Sequence, residues 1–219
     1  YALKHFEIGV DRNDKAFASL IDRMNRIAHP LHGKWMKKWL RRIAHDNGDL
    51  LRTDDLKEIL ENLHAHASVA DAPLQVQFRV GGTDSGEIEI DLGTRDGKRV
   101  LLVNGEARVI NEGSNTLFLR SDSTQPLPIP AETGDWRALF PFLNMTEEHK
   151  YLLLSYLTFG LTHPRGTTAY PILIIKGGQG VGKSLLSRSI LRALMDNNSA
   201  GVQLFPKQIK DMIISSMHQ

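Results

Sequence analysis

The apolar and polar positions in the first third of the chain predict three short strands followed by two helices. From Gly33 the apolar residues recur every three to four positions, which indicates an amphipathic helix ending near Asn47. A second helix begins at Thr53, its predicted N-cap, and has two aspartates in its first turn, where the helix dipole favours anions. Turn-forming residues separate the predicted strands, which are residues 5–10, 15–20 and 25–29.

The alternation of apolar and polar residues over 74–119 predicts an antiparallel sheet. Dipeptides that favour hairpin turns separate the apolar stretches: Gly81-Gly82, Asp96-Gly97 and Asn104-Gly105. We expect the two preceding helices to cover one face of this sheet. The predicted strands are residues 74–80, 87–92, 99–103, 107–110 and 117–119.

The pattern changes at residues 121–134, which contain three closely spaced prolines and little hydrophobic periodicity. Such segments run extended and do not enter a sheet interior, so we predict a linker there. Residues 1–120 then form an α+β accessory domain, and a second domain begins at residue 135. That domain opens with predicted helices at 136–143 and 147–161. An apolar run at 171–175 then has the pattern of a central parallel strand buried on both faces.

The composition is that of an ordinary globular protein. Of the 219 residues, 41% are hydrophobic and 24% are charged, which argues against wholesale disorder and fibrous repeats. The absence of cysteine excludes disulfides, iron–sulfur clusters and cysteine-ligated zinc. No apolar run approaches the roughly 20 residues that span a bilayer, so we expect a soluble, cytoplasmic protein. Because the chain opens on Tyr1 and its most informative motif lies near its end, we expect a piece of a longer protein.

Charge is distributed unevenly between the two predicted domains. From residue 135 onward, nine Lys and Arg face five Asp and Glu, a balance of +4. The formal net charge of +2 then leaves −2 for residues 1–134. A basic C-terminal part fits a partner rich in phosphate, although a difference of this size also fits chance.

A glycine-rich motif directly follows the apolar run. Residues 177–184 read Gly-Gly-Gln-Gly-Val-Gly-Lys-Ser and satisfy the Walker A pattern. An apolar strand precedes them and a segment with a helical apolar stripe follows, which supplies the strand, loop and helix that the motif requires. The predicted nucleotide-binding residues are Gly177, Gly178, Gln179, Gly180, Val181, Gly182, Lys183, Ser184 and Leu185.

Each residue type in this loop has a chemical reason. Backbone N–H groups must point inward at the phosphates, which needs backbone angles that glycine adopts readily, so we expect all four glycines to be required. The N-terminus of the following helix adds partial positive charge. Lys183 is placed to reach the β- and γ-phosphates, and the Ser184 hydroxyl to ligate Mg²⁺. We therefore expect ATP and Mg²⁺ as cofactors.

Hydrolysis needs a further carboxylate, the Walker B acid at the end of a second apolar strand. After Ser184 the acidic residues are Asp196, at a predicted helix end, and Asp211, in an amphipathic stretch. Neither ends an apolar strand. The catalytic residues therefore stay unassigned, and we expect the chain by itself to hydrolyse ATP at no useful rate.

The order of features resembles a known family. Pro-Leu-Pro-Ile-Pro at 126–130 is followed by Trp-Arg-Ala-Leu, Phe-Leu-Asn, an apolar helix, His-Pro-Arg-Gly and the strand and loop of residues 170–184. This order is similar to that of ATP-binding proteins of phages, plasmids and integrative elements that carry a helicase-like AAA+ module. Those proteins are related to superfamily 3 and to the C-terminal half of phage primase-helicases. The resemblance spans most of residues 30–219, and Walker A is its specific motif.

The resemblance implies that residues 135–219 are the N-terminal part of an α/β P-loop ATPase domain. It also implies a full-length hexamer that moves or opens DNA during replication of a mobile element. In that family the next segment carries the apolar strand that ends in the Walker B aspartate.

Two other functions stay open. A small-molecule P-loop kinase carries the same loop pattern, although such kinases usually place it near their own N-terminus. A non-catalytic interaction module would use the first domain to dock a partner protein.

Three further features have competing interpretations. The basic run at 34–42, interleaved with two tryptophans, fits a nucleic-acid contact, but helical spacing places the tryptophans in a core and leaves a solvated basic face. His64 and His66 point to different helix faces, which argues against a shared metal. Arg165 fits either an arginine finger or an ordinary solvated loop residue.

Overall fold

The described chain is a mixed α+β protein, which confirms this part of the prediction, and its strands form two four-stranded sheets. The structure is a computed structural model. It describes residues 2–11, 14–21, 26–69, 75–82, 86–111, 116–164, 169–197 and 199.

The first sheet contains the three predicted N-terminal strands. Strands β1 (Phe6–Val10), β2 (Ala16–Leu20) and β3 (Ile27–Pro30) run antiparallel, with bounds within two residues of the prediction. A short fourth strand, β8 (Phe118–Leu119), pairs with β3 in parallel. The chain therefore returns to the first sheet after passing through the second.

Two helices cover the first sheet. Helix α1 (Lys34–Asp46) has the predicted bounds. Helix α2 (Thr53–Ser68) has Arg52 as its N-cap rather than the predicted Thr53. The Arg52 backbone N–H donates to the Asp55 carboxylate over 3.0 Å, an arrangement that fixes the start of the helix one residue earlier. The core between helices and sheet is made by Phe6, Ala16, Ala18, Leu31, Met36, Leu40, Leu56, Leu60 and Leu63.

The second sheet is antiparallel throughout. Its strands in order are β4 (Val80–Gly82), β5 (Ile88–Asp91), β6 (Arg99–Val103) and β7 (Glu106–Ile110). The predicted turn at Asn104-Gly105 is confirmed, because both residues have positive φ (51° and 81°), as a tight hairpin with matching twist requires. The predicted Gly81-Gly82 turn is wrong, since both glycines pair within β4.

The predicted cover for the second sheet is also wrong. Helices α1 and α2 pack on the strands of the first sheet, with which they are contiguous in sequence. The second sheet instead packs against Leu127, from the Pro-rich segment, and against the half-buried Leu161. The Leu127 N–H also donates to the Leu92 carbonyl over 2.8 Å. The residues of this small core are Val80, Ile90, Leu92, Val100 and Leu127.

A buried arginine, paired with a glutamate of its own sheet, joins the two sheets. Arg99 of β6 is fully buried, and its Nη1 donates to Glu89 Oε2 over 3.0 Å. The same guanidinium donates to the carbonyls of Thr116 (2.9 Å) and Arg26 (3.1 Å), which lie next to the strands of the first sheet. Burial lowers the pKa of Arg99, and the Glu89 carboxylate opposes that shift. Glu89 is therefore a core residue, although strand alternation alone places it on a solvent face.

The C-terminal part begins with a 3₁₀ helix and a long α-helix. The 3₁₀ helix Trp136–Phe142 replaces the first predicted helix and contains Pro141, which cannot donate to a helical ladder. Helix α3 (Glu147–Thr162) confirms the second. The rings of Trp136, Phe140 and Tyr151 meet edge to face at 5.4–5.8 Å and join the two helices. In the described residues, no helix combines the length and apolar character needed to cross a bilayer.

Candidate nucleotide-binding site

The glycine-rich loop lies between an extended segment and a helix. Residues 171–178 form neither a helix nor a strand, although side-chain burial alternates over 172–175 as in an extended chain, and helical structure starts at Lys183. It continues as α4 (Lys183–Leu185), a π-helical segment (Leu186–Leu191) and α5 (Arg192–Met195). We call residues 183–195 the loop helix. The motif requires a strand, a loop and a helix in this order; the described residues contain the loop and the helix, but no strand among them directly precedes the loop.

Two of the four glycines hold backbone angles that favour glycine. Gly180 has φ +82° and Gly182 has φ +86°, in the left-handed region that costs other residues about 1–2 kcal/mol each. At Gly177 the constraint is a close approach, since a Cβ there would lie 2.9 Å from Cγ2 of the exposed Val181 side chain, which would have to move. Gly178 has neither property in this structure, so the expectation that all four glycines are needed for their backbone angles is wrong.

The Lys183 side chain folds back over the loop. Its Nζ donates to the carbonyl of Gly177 over 2.8 Å and also to that of Gly178. The ammonium therefore lies against the loop backbone from which phosphate oxygens would be bound. A charged donor held by neutral carbonyls can exchange them for anionic phosphate oxygens, to which its hydrogen bonds are stronger.

Ser184 and the remaining loop side chains are open to solvent. Ser184 follows Lys183 in the first turn of the loop helix and is exposed, as a direct ligand to a bound metal requires. Gln179, Val181 and Leu185 are also exposed. Within the described residues, no group of three or more His, Asp or Glu is placed to hold a metal ion. Ser184 is thus the one metal ligand predicted from the sequence, and phosphate oxygens and water would complete such a site.

A small apolar core holds the loop from behind. Leu143, Leu153 and Leu157 pack with Leu186 and Leu191 of the loop helix. Both ends of the glycine loop are thus anchored to helix α3, because the extended segment packs on the same core.

The extended segment differs from its prediction. Leu173 and Ile175 face the core, whereas Ile172 and Ile174 are 88% and 70% exposed. In the described part of the chain, no strand pairs with residues 171–175. The sequence predicts a central strand that is buried on both faces. In the structure only the face with Leu173 and Ile175 is covered. The alternation is present, but the neighbouring strands that would make this segment central are not among the described residues.

The Asp196 carboxylate forms an ion pair at the end of the loop helix that is distant from the glycine loop. It lies just beyond the loop helix, about 20 Å along the axis from Lys183. Its Oδ1 accepts from Arg79 Nε (3.4 Å) and Nη2 (3.3 Å). In the structure, as in the sequence, Asp196 follows a helix and not an apolar strand. Asp211 and Arg165 lie outside the described residues.

Sequence reasoning missed Arg79. Its guanidinium is buried and donates to the carbonyls of Asp91 (3.2 Å), Gln125 (3.0 Å) and Asn197 (2.9 Å). Burial lowers the pKa of Arg79, and Asp196 and Asp91 oppose the shift. Arg79 thus ties the second sheet to the end of the loop helix. A polar residue next to the Gly81-Gly82 pair gave no signal of this role, because its partners are mostly backbone carbonyls distant in sequence.

A separate apolar pocket of about 580 Å³ lies between α1 and α2. Leu40, Ile43, Ile59 and Leu63 line it, and its polar lining includes Asp49 but neither Lys nor Arg. A pocket with an acidic residue and no cation is poorly suited to a triphosphate.

Comparison with family models, curated proteins and solved structures returns no match for this chain.

Proposed function

We propose that this chain binds Mg·ATP, with the phosphates held by residues 177–184. The observation that carries the proposal is the juxtaposition of two left-handed glycines with the Lys183 ammonium, which lies against the loop backbone. A glycine-rich turn with no ligand needs neither a lysine folded over it nor an exposed serine directly after that lysine. Both follow if the loop is a phosphate cradle.

Each loop residue then has a role in binding. Lys183 neutralises the β- and γ-phosphates, Ser184 supplies an oxygen to Mg²⁺, and the backbone N–H groups from Gly178 to Lys183 donate to phosphate oxygens. Gln179, Val181 and Leu185 flank this cradle. The N-terminus of the loop helix adds its partial positive charge at the same place.

The wider role rests on the resemblance to helicase-like AAA+ proteins of mobile elements. By that resemblance the chain is the ATP-binding part of a DNA-replication ATPase whose P-loop domain spans residues 135–219, with DNA as a partner and a hexamer as the working form. The exposed apolar face at Ile172 and Ile174 supports this proposal. Neighbouring strands for this segment are not among the described residues, and an apolar face is what a P-loop strand presents to such neighbours.

Calorimetric titration with ATP, ADP and AMP, with and without Mg²⁺, tests the binding proposal. We expect affinity to rise with the number of phosphates and Lys183→Ala to weaken ATP binding about 10- to 100-fold, the value of a charged hydrogen bond to phosphate. Lys176→Ala is the matched control, because Lys176 is an exposed lysine directly before the loop. Its affinity should stay within about twofold of the parent chain. Equal losses in the two variants would contradict the proposal.

The Mg²⁺ role of Ser184 is tested in the same assay. Ser184→Ala should weaken binding of Mg·ATP and leave binding of metal-free ATP unchanged. Because neither Asp196 nor Asp211 follows an apolar strand in the sequence, we expect no useful ATP turnover by this chain. Phosphate transfer to an added sugar or nucleoside would instead favour the kinase alternative.

A further inference from the structure

One face of helix α1 concentrates positive charge in a part of the chain that is otherwise acidic. Five cations occur between residues 34 and 42 with no acidic residue among them, whereas residues 1–134 as a whole carry more acids than bases. All five are exposed. We call this surface the basic face of α1; its residues are Lys34, Lys37, Lys38, Arg41 and Arg42.

The helical period aligns these cations on the side opposite the core. Met36 and Leu40 are buried against the first sheet, and Lys34, Lys38 and Arg41 follow one another at spacings of four and three on the outer side. That row extends about 10 Å along the helix. The charge is thus displayed as a line on a rigid element, held in place by the core beneath it.

Three of the five cations have no acidic partner in the described part of the chain. Arg42 pairs with Asp46 at 3.7 Å, and Asp122 lies at the helix start, where it accepts from the Lys34 backbone N–H over 3.1 Å. Lys37, Lys38 and Arg41 have no carboxylate within 4.0 Å among the described residues. The mutual repulsion of these three cations is therefore screened by water, by salt or by a bound partner.

The tryptophans between these cations are turned inward. The Trp35 ring stacks on His29 at 4.0 Å, and the Trp39 ring meets Phe6 edge-on at 4.2 Å. A site for single-stranded nucleic acid needs aromatic faces on which bases can stack. The basic face of α1 has cations without such faces, which suits a phosphate backbone whose bases are already paired.

We propose that the basic face of α1 docks on the phosphate backbone of duplex DNA. The inner side of α1 is packed on the first sheet, so its outer row of cations, about 10 Å long, would meet the sugar-phosphate backbone at the surface of a duplex rather than enter a groove. We expect this contact to be mainly electrostatic, with an affinity that depends strongly on salt and little on base sequence. The proposal rests on the proposed function for DNA as the partner, but it uses residues far from the glycine loop in sequence and can fail separately.

Binding of a fluorescent 20-base-pair DNA to the 219-residue chain tests this directly. The test variant carries Lys37→Gln, Lys38→Gln and Arg41→Gln. The control carries Lys57→Gln, Arg95→Gln and Arg108→Gln, the same charge change at exposed sites elsewhere. We expect the test variant to lose about tenfold or more in affinity near 0.1 M salt, and its slope of log K against log salt to be shallower by about two to three. The control should change by less than about threefold.

Further measurements distinguish docking on duplex DNA from other kinds of binding. The proposal would be overturned if the test and control variants lost equal affinity for duplex DNA. It would also be overturned if the chain bound single strands or duplex RNA more tightly than duplex DNA, or bound polyglutamate as tightly as duplex DNA. Circular dichroism and thermal midpoints check that both variants fold. If the test variant loses DNA binding but keeps its affinity for ATP, the result supports the basic face of α1 as the DNA contact. Lys183→Ala, measured without nucleotide, should bind DNA like the parent chain. Absence of DNA binding by the parent chain overturns this inference alone, since the titrations with ATP test the loop.

Discussion

Glycines in the loop are not equivalent, and their backbone angles separate their roles. Gly182 has φ +86° and caps the loop helix, whereas Gly178 has an ordinary φ, and a Cβ added to it would meet no atom within 4 Å. The Walker A pattern fixes Gly177 and Gly182 and leaves Gly178 and Gly180 variable. The structure assigns the conformational requirement to Gly180 and Gly182 and the steric one to Gly177.

Alanine substitutions measured without nucleotide should show this difference. We expect Gly182→Ala to lower the free energy of unfolding by about 1–2 kcal/mol, because alanine in the left-handed region brings its Cβ too close to the following carbonyl. Gly178→Ala should lie within about 0.5 kcal/mol of the parent chain. Urea denaturation followed by circular dichroism gives both values. Equal effects at the two positions would argue against the loop conformation described above.

At the scale of elements, the two sheets are held together by the buried Arg99 side chain, whose charge is balanced by Glu89. Arg99 and Glu89 come from neighbouring strands of the second sheet, and Arg99 also reaches carbonyls beside β3 and β8 of the first. A buried pair adds little over a well-packed apolar pair, but removing one partner leaves the other charge uncompensated.

Glu89→Gln should therefore destabilise the protein far more than its small change in shape implies. We expect a loss of about 3–5 kcal/mol in the free energy of unfolding. Glu61→Gln is the control, because Glu61 pairs with Lys57 at 3.8 Å on the exposed side of α2, where such pairs contribute about 0.5 kcal/mol or less. Chemical denaturation of the two variants compares them. A loss below about 1 kcal/mol for Glu89→Gln would show that the pair is dispensable.

Elements with a local signal could be predicted from the sequence. Helix α1 has its apolar stripe and a flanking glycine and asparagine, and the Asn104-Gly105 turn carries its own backbone preference. The sorting of strands into two sheets could not be predicted in this way. It depends on Phe118 pairing beside Ile27 and on Leu127 covering the second sheet, and both are contacts between residues far apart in the chain.

The residues of the candidate site likewise include some with a local sequence signal and some that meet only through contacts distant in the chain. The glycine loop, Lys183 and Ser184 are consecutive, so a short pattern identifies them. Arg79 and Asp196 meet across more than a hundred residues, and neither residue type predicts the other. The exposure of Ile172 was missed because burial of a strand depends on its neighbours rather than on its own residues.

At the scale of the whole molecule, Arg79 links the second sheet to the loop helix. Around it, the Gln125 N–H donates to the Asn197 carbonyl (2.8 Å), and the Asn197 side chain donates to the Pro126 carbonyl (2.9 Å). The Pro-rich segment thus contacts the residues that follow the loop helix. Through this contact the position of the loop helix depends on the N-terminal sheets.

Two variants should separate the charge of this link from its hydrogen bonds. Arg79→Met removes the donor for three backbone carbonyls and should cost about 2–4 kcal/mol of unfolding free energy, because buried acceptors lose their partners. Asp196→Asn removes only the ion pair with a half-exposed carboxylate, which is worth about 1 kcal/mol or less. Thermal and urea denaturation rank them. A larger loss for Asp196→Asn would show that the ion pair outweighs the backbone contacts.

The central claim is that residues 177–184 hold the phosphates of ATP, and amide chemical-shift mapping of the 219-residue chain tests it most directly. On titration with Mg·ATP, we predict that the largest amide shifts fall on the residues from Gly178 to Lys183. We also predict that Lys183→Ala moves the midpoint of these shifts to an ATP concentration about 10- to 100-fold higher, while Lys176→Ala does not. Shifts confined to the apolar pocket between α1 and α2, or a loop unchanged at saturating Mg·ATP, would contradict the account.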